Sequence, residues 1–493
     1  MIVPLDFIDI AILIVAFGSA VVIGLLFRGQ NTSIDAYLLG NRNLPWWAIL
    51  GSIVATETST ATVLSVPGHG YGDTGLRFLQ LALGFILGRI LVVVFLLPGF
   101  FDGKLLSAYE VLGRRFGTYT KRTASILFLV TRNMGDGLRL FLAAMVLEKI
   151  AGWPLVWSAI VVGGVTILYT YFGGMRSVVW NDCVQFVIYN IGGIAAVFVI
   201  VANLPDGWTS FFEFAHDRNK WTMIDGTFSL SNPFNLWAGV IGGAALSLGS
   251  HGTDQLMVQR YLSARSQRDA GRAILWSGII VFAQFALFLL IGMLLACFYS
   301  NQETMPILRN DEVFTHFMLH SFPRNTGLIG LMLAAILAAA MSTLSSSLSA
   351  SASAVVGDWW LPNYETPPSE KFQVVVTRWL TFAFGILQIG IGIWASTFDK
   401  SVVENALTIA GFSAGILLGV FALGIASEKT SDLSAFAAAL AGLTVLLIVQ
   451  FVLPMWGWKV AFPWLPVIGA LTTFGSGFAF SNLRSTDSKG KYK

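Results

Sequence analysis

Long apolar runs separated by short polar stretches recur from one end of the chain to the other. Thirteen stand out, at 5–27, 44–66, 74–100, 118–150, 155–172, 178–204, 232–250, 268–299, 325–357, 372–397, 401–427, 432–453 and 460–482. A helix of about 20 apolar residues crosses the hydrocarbon core of a bilayer. Backbone polar groups can be satisfied there only within helices or closed barrels. The pattern predicts an all-α membrane protein with about 13 transmembrane helices and no soluble domain.

Basic residues cluster on the cytoplasmic side of membrane proteins. With the N-terminus outside, inside segments hold 19 Lys and Arg, including Arg260, Arg265, Arg268 and Arg272, and outside segments hold 7, including Lys220. That split places the C-terminus in the cytoplasm, which an odd number of spans requires. The last eleven residues read as a basic, disordered tail.

Composition agrees. Of 493 residues, 55% are hydrophobic and 12% charged, against about 25% charged in soluble chains. The 50 glycines suit close helix packing and broken helices. Cys183 and Cys297 show no metal or disulfide spacing and are expected as free thiols. The first apolar run lacks a preceding basic region and reads as a retained span rather than a signal peptide.

Intramembrane polar groups are the functional candidates. In AAILAAAMSTLSSSLS (334–349), Ala339, Ser342, Thr343 and Ser346 share one helical face. Such a hydroxyl ladder suits either close packing or a hard cation. The second span has a polar middle, Ala55–Thr62, around Glu57. It reads as an unwound stretch lining a cavity, or as a helix whose Ser and Thr bond back to their own carbonyls. On the fourth span Arg132, Asp136 and Arg139 form a charge ladder. It suits an internal network, a forked arginine site for a substrate carboxylate, or both. Gln80 is a neutral donor and acceptor, Arg89 snorkels or pairs, and His251 reads as a hydrogen-bonded structural residue rather than a proton carrier. Asp182 either caps a helix start or supplies the negative charge of a monovalent-cation site.

With these residues the chain resembles the sodium:solute symporter family. The motifs are YTYFGG (169–174) continuing through Val178, Trp180, Asp182 and Gln185; GTDQ (252–255) with VQRY (258–261); SAYEVL (107–112) with Arg115 and Phe116; and AAAMSTLSS (338–346). The resemblance spans about 5–427. It implies a LeuT-type fold of two inverted five-helix repeats with discontinuous first and sixth core helices. Residues 1–27 would be an extra N-terminal helix, 44–204 repeat one, 232–427 repeat two, and 428–493 two closing helices and a cytoplasmic tail.

The resemblance further implies a principal Na⁺ site at Ala55, Thr58, Ala339, Ser342 and Thr343. A second, as in sialic acid transporters of the family, would lie at Asp182, Ser342, Ser345 and Ser346. Ser59, Thr62 and Gln80 resemble substrate contacts, and Glu57, Arg132, Asp136 and Arg139 are further candidates. Where those transporters carry a carboxylate-binding arginine, this chain has Gly135.

The expected function is secondary active transport by alternating access in a bacterial inner membrane. Inward Na⁺ flow would drive uptake of a small polar solute, leaning to a small organic anion, with a sugar or polyol as the alternative. The expected partners are sodium ions, the substrate and the lipid bilayer, with neither nucleic acid nor an obligate protein partner. A transporter-like sensor would need an output domain, a channel a repeated selectivity filter, and an enzyme a nucleophile–base pair or metal cluster; the sequence has none of these patterns.

Overall fold

The computed structural model describes residues 5–302, 312–396 and 402–490. α1 (Phe7–Leu26) starts at a capping box, in which Asp6 and Asp9 each accept the other's backbone amide. A short α2 (Ile34–Leu39) leads to α3 (Trp46–Glu57) and α4 (Thr60–Tyr71). Between Trp46–Glu57 and Thr62–Tyr71 the chain bends by 63°. The unwound stretch is therefore shorter than the polar run suggests, confined to Thr58 and Ser59.

Next come α5 (Leu79–Leu91), α6 (Leu97–Phe101), α7 (Tyr109–Arg115) and α8 (Thr118–Ala151). α9 (Leu155–Ala202) is a 48-residue element with a break at Gly174, where φ is +59°. A side chain is excluded there, because a Cβ would sit 2.6 Å from the Tyr37 carbonyl oxygen. α10 (Trp208–Asp217) lies in the long polar connection that follows. A second broken helix pairs α11 (Gly243–Gly252) with α12 (Gln255–Leu262) across Thr253 and Asp254. α13 (Gln267–Ser300), α14 (Val313–Ser321), α15 (Leu328–Val355), α16 (Glu370–Ala395), α17 (Val402–Ala426), α18 (Asp432–Leu447) and α19 (Trp464–Gly490) complete the chain. α19 runs through most of the tail expected to be disordered.

Among the described residues nine helices are long and apolar enough to cross a membrane, or ten with the bent α3–α4 pair. Four of the thirteen expected segments are built differently. The segments 155–172 and 178–204 are the two arms of α9. The segment 118–150 is the 34-residue α8, which carries charges in its middle. The segment 232–250 ends in the shorter α11.

α15 is the axis of the bundle, packing on α9, α1, α8, α16 and α3. Every residue from Met332 to Ala354 is buried. A helix enclosed on all sides must be apolar or internally bonded all round, and its small residues let neighbours approach. Its lower hydroxyls bond the amides of surrounding helices: Ser347 to Gln388 (2.8 Å), Ser349 to Gln259 (3.0 Å), Ser351 to Asn133 (3.1 Å) and Ser353 to Gln255 (3.2 Å). At this end, interhelical bonding accounts for the hydroxyl stripe. α1 is peripheral, exposing Phe7, Ile14, Val15 and Leu26 as a lipid-facing helix would. Lys220, counted among the outside charges, is buried and donates to the carbonyls of Tyr71 (2.9 Å) and Gly72 (2.5 Å) at the end of α4. Burial lowers its amine pKa.

Candidate functional site

The two helix breaks bring their polar residues to the upper half of α15's hydroxyl face. At the end of α3, Thr58 N donates to Val54 O and Ser59 N to Glu57 O, both at 3.0 Å. Ser59 N is thus diverted from the Ala55 carbonyl, its partner in an unbroken helix. Across from it, Thr343 Oγ1 lies 3.1 Å from Thr56 O and 3.3 Å from Ala339 O. The end of α3 and the Ala339–Thr343 turn of α15 therefore meet, as a site of carbonyl and hydroxyl oxygens requires. Two expected ligands turn elsewhere with their side chains. Thr58 Oγ1 donates to Gln284 Oε1 on α13 at 2.9 Å, and Ser342 Oγ donates to Asp182 Oδ1 at 2.7 Å.

Asp182 is fully buried, two turns beyond the break at Gly174. It does not cap a helix start, and that reading is corrected. Its carboxylate accepts from Ser52 Oγ (2.5 Å) and Ser342 Oγ (2.7 Å) and pairs with Arg260 (3.2 Å). Ser345 and Ser346 both donate to Ser342 O, at 3.1 and 2.7 Å.

Arg260 was missed as a site residue. It was counted with the cytoplasmic charges, yet it is 1% exposed in the core. Its Nε donates to Ser52 Oγ (2.8 Å), Nη1 to Leu256 O (2.6 Å), and Nη2 to Thr56 Oγ1 (2.5 Å), Ser346 Oγ and Asp182. The sequence signals were its place in the family motif VQRY (258–261) and between apolar neighbours in LMVQRYL, a helical turn that is wholly buried.

Glu57 does not hang free in a cavity. It is 17% exposed, pairs with fully buried Arg89 on α5, and lies 3.4 Å from His251 Nε2 on α11. Arg89 Nε reaches Ser277 Oγ at 3.0 Å, and His251 Nδ1 lies 3.0 Å from Tyr261 OH. Arg89 therefore pairs rather than snorkels. Its Nη1 is buried without a hydrogen-bond partner among the described residues.

The ladder on α8 forms. Buried Asp136 pairs with Arg132 at 2.8 Å and with Arg139, and Arg132 extends 3.4 Å to Asp254 at the α11–α12 break. Ser59 is buried and Thr62 half-buried beside the first break. Gln80 is not brought into this cluster by any hydrogen bond. Its amide holds Arg77 O (3.1 Å), Phe234 O (3.1 Å) and Asp225 N (3.0 Å), clamping the connection before α11. Among the described residues no group of three or more His, Cys, Asp or Glu could hold a metal ion.

The model of the sodium:solute symporter family matches residues 37–442. The human sodium/iodide cotransporter is 27% identical over 88% of this chain and 68% of its own. The mouse sodium-coupled monocarboxylate transporter 2 is 26% identical over 88% of this chain and 70% of its own. A solved structure of a Na⁺-coupled sialic acid symporter, substrate-bound and outward-open, superposes with a TM-score of 0.87 at 24% identity, covering 97% of this chain and 98% of its own. The fold is therefore the LeuT type that the motifs implied.

Proposed function

The chain belongs to the sodium:solute symporter family, and we propose that it couples inward Na⁺ flow to uptake of a small organic anion. It is a multi-pass membrane transporter and not an enzyme. The anion reading rests on the charge balance at the centre. Four arginines, Arg89, Arg132, Arg139 and Arg260, are paired among four carboxylates, Glu57, Asp136, Asp182 and Asp254. This paired set is formally neutral, so a sodium ion leaves it with an excess positive charge. Uncompensated charge is costly in a low-dielectric interior, and an anionic substrate removes it. Iodide and monocarboxylate, named for the two relatives, are anions, which supports the same reading.

In this reading Na⁺ binds where Thr343 and Ala339 face Ala55 and Thr58, tying α15 to α3 and shaping the broken helix for substrate. The membrane potential contributes about 2.3 kcal/mol per charge per 100 mV. Repeat one is 44–204 and repeat two 232–427, after an extra helix in 1–27 and before closing helices in 428–493. The N-terminus lies outside and the C-terminus in the cytoplasm of a bacterial inner membrane. Moving buried Arg260 out of the loop tally leaves the basic excess on the same side.

The test is uptake into proteoliposomes under imposed Na⁺, K⁺ or H⁺ gradients, with small carboxylates, iodide, sialic acid and neutral sugars as solutes. Sodium-driven uptake of an anion is expected. Equal uptake in a pure proton gradient removes the sodium assignment, and sodium-driven uptake of neutral sugars alone removes the anion.

A further inference from the structure

Two of the four residues expected for a second sodium, Asp182 and Ser346, hold a cation that belongs to the protein itself. Arg260 Nη2 contacts the Asp182 carboxylate, Thr56 Oγ1 and Ser346 Oγ. These are hard oxygen donors of the kind sodium takes. The remaining donors of Arg260 are engaged by Ser52 Oγ and Leu256 O, so the guanidinium is fully seated rather than passing through.

We propose that Arg260 and a second sodium ion are alternative occupants of this one site, and that sodium enters it only when Arg260 leaves. The proposal rests on the sodium-coupled reading above. Its physical basis is charge. Asp182 supplies a single negative charge, already paired with Arg260. A sodium ion added beside the guanidinium places two cations against one carboxylate in a buried pocket, which is strongly unfavourable. Ser346 and Asp182 also cannot ligate sodium well while they serve Arg260.

The exchange has a mechanical consequence. Arg260 sits on α12, the second half of the second broken helix, and its bonds run to α3, α9 and α15. Displacing it removes the Arg260 bonds to all three and leaves α12 tied to α15 by Gln255 and Gln259. The coupling is reciprocal, so whatever pulls α12 away raises sodium affinity at Asp182.

The test uses the full chain in proteoliposomes and detergent, with Na⁺ and guanidinium as probes. Arg260→Ala removes the competitor, so sodium half-saturation falls about tenfold or more. Free guanidinium then competes in the variant and raises it again, while Arg260→Lys lies between variant and wild type. A folded Arg260→Ala with unchanged sodium half-saturation and no response to guanidinium overturns the proposal. Should that variant not fold, hydrogen exchange of wild-type α12 amides decides. Sodium in place of potassium speeds their exchange if Arg260 is expelled; unchanged or slower exchange overturns the idea. Sodium-dependent wild-type uptake with these negative results defeats this proposal alone, whereas sodium-independent wild-type uptake defeats the symport reading as well.

Discussion

Thr343 on α15 donates its hydroxyl to the Thr56 carbonyl on α3 across 3.1 Å, joining the central helix to the end of a broken one. That contact marks the place proposed for the principal ion site. Thr343→Ala is expected to raise sodium half-saturation roughly tenfold, or about 1.4 kcal/mol, while Thr343→Ser stays near wild type. Loss of one interhelical bond costs stability only about 0.6–1.7 kcal/mol. Sodium titration of uptake together with a melting curve separates the two effects. An alanine variant with normal sodium dependence would move the site elsewhere.

Asp182 pairs with Arg260 and is proposed as a sodium ligand, two roles that a single substitution confounds. Asp182→Ala leaves Arg260 buried and unpaired, a loss of about 3–5 kcal/mol. This exceeds the 0.5–2 kcal/mol of a lost helix cap. Adding Arg260→Gln is expected to recover much of that stability, a coupling readable in a double-mutant cycle. In whichever of these variants remains folded, sodium order in uptake falls toward one. Additive losses would mean that the pair does not act as a unit.

How far the chain could be read in advance follows from the range of each interaction. The helical membrane class and the first helix break were legible because apolar runs and the polar stretch around Glu57 are local patterns, while the count of thirteen spans is not matched by the nine or ten seen among the described residues. The pairing of Arg132, Asp136 and Arg139 was legible because they share one helix. What escaped depended on distant partners. Arg260 looked like a loop charge until α3, α9 and α15 enclosed it. Lys220 entered only as one of the outside charges, and its burial against the end of α4 has no local signal. Gln80 looked like a substrate contact, and its amide is held by backbone groups of residues 225 and 234.

Half-buried Glu57 and fully buried Arg89 form an ion pair at the first break, beside His251. Glu57→Gln is expected to destabilise the protein by about 3–5 kcal/mol, because Arg89 keeps its charge and loses its partner. Arg89→Gln strands Glu57 in the same way, and the double variant is more stable than either single one. Thermal unfolding in detergent checks the ordering. Single losses within about 0.5 kcal/mol would show that the pair is well solvated and contributes little.

The substrate class turns on the α8 arginines. If Arg132 or Arg139 grips a carboxylate, its change to glutamine removes most of the affinity, and lysine restores only part, keeping the charge but losing the fork. Both arginines also hold Asp136, and Arg132 reaches Asp254. A lost affinity could therefore reflect a collapsed network rather than a lost contact. The separation comes from pairing each glutamine variant with Asp136→Asn. A network effect is relieved when Asp136 is neutralised, while a direct contact is not. Binding that survives both arginine changes and vanishes in a folded Glu57→Gln variant would replace the anion with a sugar, whose hydroxyls need acceptors rather than a guanidinium fork.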